Sequence, residues 1–104
     1  MKLREIMFFY VYVLQSMKND TIYIGFTTDL KKRLQEHNLG LTSSTKRFLP
    51  WELIYYEACR NKQDAIRREK YLKTNQGGRL LKRRLKEYFF QSNKREVLLP
   101  GATI

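Results

Sequence analysis

Residues 21–38, TIYIGFTTDLKKRLQEHN, change from one periodicity to another within a single short segment. The first part, TIYIGFT, is rich in branched and aromatic residues and is typical of a β-strand. From Leu30 onward the leucines recur at helical spacing. Thr28 or Asp29 is placed to cap that helix, and Gly40 is placed to end it. The segment therefore predicts a strand that leads directly into a helix.

The rest of the chain predicts two more strands and two more helices around this segment. Met7–Ser16 (MFFYVYVLQS) is expected to pair with residues 21–27 in a hairpin closed by a two-residue turn at Lys18-Asn19. The remaining predicted elements are a strand Trp51–Cys59, a helix Lys62–Thr74 and, after the breaker NQGG, a helix from about Arg79 to Gln91. The expected fold is α/β, in the order ββαβαα, with a small three-stranded antiparallel sheet flanked by helices.

The length and composition set limits on the protein's organisation. The chain has 104 residues, and we expect a single domain over residues 1–91, followed by a tail, 92–104, whose structure the sequence leaves open. The lone Cys59 excludes an intrachain disulfide and a cysteine-only metal site. No apolar run is long enough to cross a bilayer, and the first residues make a poor signal peptide. A cytoplasmic protein is the default expectation.

An even-numbered hairpin loop would place two tyrosines on the same side of the sheet. Paired positions then sum to an odd number, so Tyr12 and Tyr23 share a face with Gly25. The absent side chain of Gly25 leaves space for a molecule to approach the sheet, although tyrosines also favour half-buried strand surfaces for packing alone. The opposite face is expected to be an apolar core face made by Phe9, Val11, Val13, Ile22, Ile24 and Phe26.

The helix that follows places an arginine and a histidine beside the two tyrosines. Leu30, Leu34 and Leu41 define its packing stripe, and Arg33 and His37, four residues apart, lie on one flank of that stripe. We therefore expect both side chains at the seam between helix and sheet, partly shielded from water. The alternative is that Arg33 extends its charge into solvent and His37 is an ordinary cation at a helix end.

A carboxylate interrupts the apolar face of the second predicted helix. Ala65, Ile66 and Leu72 define that face, and Glu69 projects between them. A lone carboxylate in an apolar stripe is costly unless it is paired or binds a cation. A salt bridge to Lys73, four residues on, and a metal site both satisfy this requirement, and the sequence leaves the two open.

Charge is the strongest compositional signal. The chain carries 21 basic and 10 acidic residues, a net charge of +11, and residues 60–88 alone hold eleven basic and three acidic residues. Clustered basic residues indicate a polyanionic partner, usually nucleic acid, and the competing explanation is a basic surface that only keeps the protein soluble. The candidate phosphate contacts are Lys31, Lys32, Lys46, Arg47, Arg79, Lys82, Arg83 and Lys86.

Four motifs in a fixed order resemble those of the GIY-YIG nuclease superfamily. They are YVYVLQS, TIYIG, TTDLKKRLQEHN and DAIRREKYLKT, and together they extend over roughly residues 8–88. The chain looks like the small single-domain bacterial members, which are related to the N-terminal nuclease domain of the excision-repair incision subunit. It departs from the family pattern in the first motif, where Tyr10-Val11-Tyr12 lacks the glycine.

The resemblance implies a metal-dependent endonuclease acting on DNA, with RNA not excluded. It implies catalytic roles for Tyr12, Tyr23, Arg33 and His37, with Glu69 holding one Mg²⁺ or Mn²⁺ ion. In this scheme a tyrosine acts as the general base or relays a proton to it, and Arg33 holds the scissile phosphate. Many members carry a further polar residue, for which Asn75 is the candidate. The alternatives are a nucleic-acid-binding module with little or no cleavage, and an accessory subunit whose protein partner chooses the target.

Overall fold

The computed structural model describes residues 6–92 and has the predicted α/β fold, except that the predicted last helix, from about Arg79 to Gln91, is divided in two at Leu85. Three antiparallel strands form one sheet in the spatial order β2-β1-β3, so the first strand is central. The strands are β1 (Phe9–Ser16), β2 (Ile22–Thr27) and β3 (Trp51–Cys59). The helices are α1 (Leu30–Asn38), α2 (Lys62–Leu72), α3 (Asn75–Arg84) and α4 (residues 86–92), with a short 3-10 helix at Lys46–Phe48 between α1 and β3.

The register between β1 and β2 fixes which side chains share a face of the sheet. Tyr12 pairs with Gly25 and Leu14 pairs with Tyr23, so Tyr12 and Tyr23 lie on the same side, as predicted. We call this side the tyrosine face. The opposite side carries the predicted apolar set of Phe9, Val11, Val13, Ile22, Ile24 and Phe26.

The hairpin loop is longer than the predicted two-residue turn. Residues 17–20 separate the paired positions, and the Ser16 N–H donates to the carbonyl oxygen of Thr21 at 2.8 Å. The buried Ser16 hydroxyl accepts from the N–H of Lys18 at 3.0 Å, which satisfies a loop donor. Asp20 adopts a positive φ of 66°, a region that Asp tolerates better than most residues. Because four is also an even number, the predicted parity and register hold despite the longer loop.

The tyrosine face is itself part of the hydrophobic core. Tyr12 and Leu14 are 2% and 0% exposed, and Trp51 at the start of β3 joins them. Leu30 and Leu34 of α1 pack against this cluster, as the helical spacing predicted. The sheet is therefore buried on both sides along its central strand, and α1 covers the side that carries the tyrosines.

Helix α1 begins and ends with the predicted signals, but its packing stripe is shorter. The Asp29 carboxylate accepts from the Lys32 N–H at 3.1 Å, a cap that stabilises a helix by about 1 kcal/mol. Gly40 follows the helix at φ 76°. Leu41 lies beyond this turn and is 70% exposed, so its predicted place in the stripe was wrong. The turn at Gly40 redirects the chain before a further helical position can form.

The predicted break between the last two helices was misplaced. Helix α2 ends at Leu72, and α3 starts with the NQGG segment that was predicted to be a breaker. The Thr74 hydroxyl accepts from the Gly77 N–H at 3.1 Å and so caps α3. Each glycine lowers helix propensity by about 1 kcal/mol, but the cap and the burial of Leu81 offset that cost. The chain then turns at Leu85, before α4.

The chain divides into two compact units, one up to Tyr71 and one from Leu72 onward. The first holds the sheet, α1 and most of α2, and the second holds α3 and α4. In the second unit the predicted apolar stripe of Leu81, Leu85, Tyr88 and Phe89 is less exposed than the neighbouring basic residues. The predicted tail lies outside the described residues from position 93 on. Within residues 6–92, no helix combines the length and apolar character that a membrane span requires.

Candidate active site

The side chain of Tyr12 lies across the neighbouring strand, directly over Gly25. A Cβ at Gly25 would come within 2.9 Å of Tyr12 Cε1 and closer still to its Cζ and hydroxyl oxygen. Such an approach is possible only where the strand carries no side chain. The space at Gly25, which the sequence left open to an approaching molecule, is therefore filled by the ring of Tyr12 itself.

Two residues of α1 meet the Tyr12 hydroxyl. His37 Nε2 lies 2.8 Å from the Tyr12 oxygen, and Arg33 Nε donates to the same oxygen at 3.3 Å. His37 is fully buried, whereas the Arg33 side chain is 33% exposed. The structure thus brings three of the predicted site residues together on one phenol oxygen. It also excludes the alternative in which His37 is a solvated cation at a helix end.

Thr45 determines which nitrogen of His37 carries the proton. Its hydroxyl donates to the Thr42 carbonyl oxygen at 3.4 Å and lies 2.8 Å from His37 Nδ1. A hydroxyl has one proton, so both Thr45 contacts are made at once only in the tautomer whose Nδ1–H donates to Thr45. The unprotonated Nε2 then accepts the proton of Tyr12. The hydrogen bonds run in one direction, from Tyr12 through His37 and Thr45 to the backbone.

Burial controls the ionisation of both ring systems. Burial raises the pKa of Tyr12 above its ordinary value, the hydrogen bond from Arg33 opposes this rise, and the negative charge of Glu69 adds to it. Burial lowers the pKa of His37, and the positive charge of Arg33 lowers it further. At neutral pH Tyr12 is therefore a neutral phenol and His37 a neutral imidazole, as the direction of the hydrogen bonds requires.

Tyr23 packs beside the hydrogen-bonded chain. Its ring centroid lies 5.1 Å from that of His37, 6.3 Å from that of Tyr12 and 6.2 Å from that of Trp51. Aromatic pairs of this kind contribute about 0.5–1.5 kcal/mol each beyond the area they bury. Tyr23 is half-buried, in contrast to the buried Tyr12. Its position supports the site by holding the rings of Tyr12 and His37 in place.

The loop that carries Thr45 is fastened to β3 and to the end of α1. The Trp51 indole N–H donates to the Thr45 carbonyl oxygen at 2.9 Å. The Asn38 side chain donates to the Trp51 carbonyl oxygen at 3.0 Å and accepts from the Trp51 N–H at 2.6 Å. These contacts hold Thr45, and through it the His37 ring, in a fixed position.

The sequence patterns did not single out the supporting residues Thr45 and Asn38. Thr45 lies in the polar run TSSTKRF, where no local pattern separates one hydroxyl from its neighbours. Asn38 is the last residue of α1, and its partner Trp51 lies thirteen residues away. Neither contact follows from a local periodicity of the sequence, so both become visible only in the tertiary structure.

Arg33 is positioned by two hydrogen bonds that use only part of the donors of its guanidinium. Its Nε donates to Tyr12, and its Nη1 donates to the Glu36 carboxylate at 3.1 Å. These contacts use two of the five N–H donors of a guanidinium. Arg33 and Lys32 line an open groove of about 450 Å³ between α1 and the end of β2, next to Thr27. A phosphate entering this groove would meet these two positive side chains and also the carboxylates of Asp29 and Glu36, which line the same groove.

Glu69 lies on α2, half-buried, and its charge acts on the Tyr12 hydroxyl. Ala65 and Leu72 on the same helix are 0% and 1% exposed, which agrees with the predicted inward face. The part of the chain that the structure describes contains no group of three or more His, Cys, Asp or Glu side chains placed to bind a metal. A single carboxylate fits Mg²⁺ or Mn²⁺, because such an ion retains several water ligands. A salt bridge to Lys73 and a metal site remain the two alternatives for Glu69.

The predicted phosphate contacts all lie on the protein surface. In the first unit Lys31 and Lys32 are exposed on α1, and Lys46 and Arg47 belong to the 3-10 helix. In the second unit Asn75, the candidate for the further polar residue of the site, is the first residue of α3. The exposed basic residues of that unit include Arg79, Lys82, Arg83 and Lys86.

Comparison with known proteins shows one family over most of the chain. Residues 8–80 match the family model described as the GIY-YIG catalytic domain. A UPF0213 protein of Streptococcus agalactiae serotype V is 45% identical over 65 residues, which cover 62% of this chain and 73% of the relative. A UPF0213 protein of Streptococcus pyogenes serotype M3 is 45% identical over 65 residues, which cover 62% of this chain and 70% of the relative.

Among solved structures, the chain is similar to the solution NMR structure of a UPF0213 protein from Bacillus halodurans. The two are 31% identical, with a TM-score of 0.45, and the match covers 72% of this chain and 82% of the other. The range that matches the family model, residues 8–80, includes the Tyr12, Arg33 and His37 cluster and also Glu69. The match to the family model confirms the family predicted from the sequence motifs. The chain belongs to the GIY-YIG family and, within it, to the UPF0213 proteins.

Proposed function

We propose that the protein is an endonuclease that hydrolyses phosphodiester bonds in DNA with the help of one divalent metal ion. The observation that carries the proposal is the Tyr12 hydroxyl, held 2.8 Å from a neutral His37 and 3.3 Å from Arg33. Phosphodiester hydrolysis needs a group that takes the proton of the attacking water and cations that balance the charge developing on the phosphate. The cluster supplies both, and membership of the GIY-YIG family supports a nuclease-type activity in general.

Arg33 binds the scissile phosphate in this proposal. Its contacts with Tyr12 and Glu36 orient the guanidinium before substrate arrives. The N–H donors that these contacts leave over match two phosphate oxygens, a geometry that lysine cannot reproduce. Lys32, in the same groove, adds positive charge without fixing an orientation.

The proton of the attacking water passes to Tyr12, and Tyr12 passes its own proton to His37 Nε2. The water oxygen bonds to phosphorus while the P–O bond to the leaving strand breaks, and the leaving oxygen takes a proton from solvent. The relay avoids a free tyrosinate, which the raised pKa of Tyr12 disfavours. Phosphate binding at Arg33 also offsets the positive charge that lowers the pKa of His37, so substrate makes His37 a better acceptor.

Glu69 would hold the metal ion. When bound, such an ion supplies positive charge against the phosphate oxygens and lowers the pKa of a coordinated water. The effect of the Glu69 charge on the pKa of Tyr12 supports placing this role near the relay. A site with one protein carboxylate is expected to bind its ion weakly, so added Mg²⁺ or Mn²⁺ should raise the melting temperature only modestly.

Binding to DNA is expected to be electrostatic and largely independent of sequence. The net charge of +11 and the exposed basic residues support a phosphate-directed interface. Affinity should therefore fall steeply as salt rises, and a flat plot of log affinity against log salt would count against nucleic acid as the ligand. A protein partner could supply target choice, and RNA substrates share the phosphate chemistry.

The second candidate function is a nucleic-acid-binding module that does not cleave. Tyr12 and His37 are 2% and 0% exposed, and a buried, fully satisfied hydrogen-bond chain is also what a purely structural network looks like. Under this alternative the basic surface still binds nucleic acid. The tyrosine, histidine and threonine then only stabilise the core.

Cleavage assays with Glu69→Gln and Arg33→Ala distinguish the two functions. The native protein is incubated with nicked, flapped, branched, linear and single-stranded DNA, and with matched RNA, in Mg²⁺, Mn²⁺ or EDTA. We expect metal-dependent cleavage by the native protein, none by Glu69→Gln, and a loss of about 10²–10³-fold for Arg33→Ala, the usual cost of removing one group that stabilises developing charge. Glu87→Gln makes the same charge change at an exposed position of α4 and should keep full activity.

Binding measurements complete the test. Glu69→Gln should bind DNA as tightly as the native protein or more tightly, because a negative charge near the phosphate has been removed. Full activity in a well-folded Glu69→Gln protein would refute the proposed metal site. If the native protein binds these nucleic acids but cleaves none of them, the binding module is the correct function.

A further inference from the structure

The tyrosine face continues past the buried Tyr12 to two further tyrosines. Tyr56 of β3 pairs directly with Tyr12, and Tyr10 precedes Tyr12 by two residues on β1. All three side chains therefore point to the same side of the sheet. The rings of Tyr10 and Tyr56 contact each other edge to face, with centroids 5.8 Å apart and planes inclined by 69°. We call them the Tyr10/Tyr56 pair.

The exposure of this pair is unusual for its position. Tyr56 is 51% exposed although it lies inside β3, and Tyr10 is half-buried. The other large hydrophobic residues that are exposed within residues 6–92 lie before β1, in the hairpin loop, at the first position of β2, just after α1 or in α4. An aromatic ring inside a strand normally gains stability by being covered. The uncovered ring of Tyr56 is therefore available to a ligand.

We propose that the Tyr10/Tyr56 pair stacks against an unpaired nucleobase of the DNA strand whose phosphate is held by Arg33. The inference rests on the proposed nuclease function and specifies its substrate class: DNA with unpaired nucleotides beside the cleaved bond, as in a flap or a single-stranded overhang. In an intact duplex both faces of a base are covered by its neighbours, so an exposed ring has no base face to contact. Proteins that bind single strands combine aromatic platforms of this kind with positive charge.

The distances and charges on the tyrosine face suit a DNA strand that runs across the β-sheet. The Tyr12 ring extends over Gly25 on β2, while Tyr56 lies on β3 at the other side of β1. These positions are two β-strand spacings apart, roughly 10 Å. About three stacked nucleotides of one DNA strand span that distance. Positive charge also lies near the pair, since the Arg60 guanidinium stands 5.8 Å above the ring of Phe8, two residues before Tyr10.

The test compares two fluorescently labelled DNAs, a blunt duplex and the same duplex with a single-stranded overhang. Binding is measured by anisotropy in EDTA, so that cleavage does not interfere. We expect the native protein to bind the overhang DNA more tightly. Tyr56→Ala should weaken overhang binding by about 5- to 150-fold, equivalent to one base–aromatic stack, and leave blunt-duplex binding unchanged. Tyr56→Phe should bind as the native protein does, because stacking uses the ring and not the hydroxyl.

Two controls keep the outcome interpretable. Phe90→Ala removes an aromatic ring that is 62% exposed on α4 and should leave the overhang preference intact. Tyr56→Leu keeps apolar bulk without an aromatic face, and it replaces Tyr56→Ala if that variant melts early. An unchanged overhang preference in Tyr56→Ala and Tyr56→Leu, or an equal loss on both DNAs, would overturn the inference.

The failure of this inference differs from the failure of the proposed function. If the native protein cleaves DNA and Tyr56→Ala and Tyr56→Leu keep the overhang preference, the nuclease stands and the stacking site is wrong. If the native protein binds DNA without cleaving it and Tyr56→Ala and Tyr56→Leu lose the preference, the stacking site stands and the hydrolytic function is wrong. A native protein that neither binds nor cleaves any of these DNAs refutes both.

Discussion

Replacing Gly25 by alanine tests whether the site depends on the close approach of Tyr12 to the sheet. The added Cβ would overlap the Cζ and hydroxyl oxygen of Tyr12 and come within 2.9 Å of its Cε1. The phenol is 2% exposed and packs against Tyr23 and His37, so it cannot move aside without displacing them or leaving the core. Either response separates the Tyr12 hydroxyl from His37 and Arg33.

The expected cost follows from what the phenol loses. Overpacking a core costs about 1–3 kcal/mol, and each lost hydrogen bond costs about 0.5–1.5 kcal/mol. Because two hydrogen bonds meet at the Tyr12 oxygen, Gly25→Ala should lower the free energy of unfolding by about 2–6 kcal/mol. In a domain of this size 1 kcal/mol corresponds to a shift of about 4–8 °C in melting temperature. A fall of at least about 8 °C is therefore expected, together with loss of cleavage.

Gly78→Ala is the matched control. The same substitution in α3 places a Cβ with nothing within 4 Å, and alanine is favoured over glycine inside a helix by about 0.5–1 kcal/mol. Its melting temperature should rise while that of Gly25→Ala falls, as measured by circular dichroism. His37 is the only histidine in the chain, so its NMR signal reports separately whether the Tyr12 contact is lost. A Gly25→Ala protein with native melting temperature, native His37 signal and native activity would refute the close-approach argument.

Three further tests concern the ionisation of His37, the hydroxyl of Thr45 and the hydroxyls of Tyr12 and Tyr23. Because the pKa of His37 is lowered in the folded state, the unfolded chain takes up this proton first as the pH falls. The free energy of unfolding should therefore decrease below about pH 6.5 until the folded pKa is reached, and it should not change through this group at higher pH. Urea unfolding of the native protein and of His37→Gln checks this, and identical pH profiles for the two would contradict it. Thr45→Val leaves the Nδ1–H of His37 without its acceptor, so kcat should fall with little change in KM and stability should drop by about 1–3 kcal/mol. Thr45→Ser keeps the hydroxyl and should restore kcat, and equal kcat values for the valine and serine variants would exclude the positioning role. Tyr12→Phe should abolish cleavage while Tyr23→Phe retains most of it, because Tyr12 is the tyrosine that contacts His37 and Arg33 through its hydroxyl; the reverse ranking of cleavage rates would assign the proton transfer to Tyr23.

The sequence could predict the tyrosine face because side-chain direction in a hairpin depends only on parity. Any even loop gives the same faces, so the error in loop length did not affect Tyr12 and Tyr23. The positions of Arg33 and His37 followed from helical spacing in the same way. Predictions of this kind succeed where a local period fixes a direction.

The predictions failed or stayed open where a neighbour distant in sequence decides the outcome. The missing side chain of Gly25 shows that something approaches the strand, but it does not show that the group is Tyr12, thirteen positions earlier. Two glycines favoured a break in NQGG, yet the hydroxyl of Thr74 caps a helix there. The hydrogen bond between Thr45 and His37 depends on a loop path that Trp51 and Asn38 fix from outside.

The same atoms serve the core and the candidate site, and this overlap determines which variants are informative. Tyr12 and His37 are buried, so changing either one alters packing and proton transfer together, and a loss of cleavage there does not by itself separate a catalytic role of the residue from a structural one. Arg33 and Glu69 are only half-buried. The core loses little when their charged groups are replaced, whereas a phosphodiesterase loses the groups that hold phosphate and metal. If the protein is a nuclease, variants that lose cleavage with only a small fall in melting temperature are therefore expected at Arg33 and Glu69.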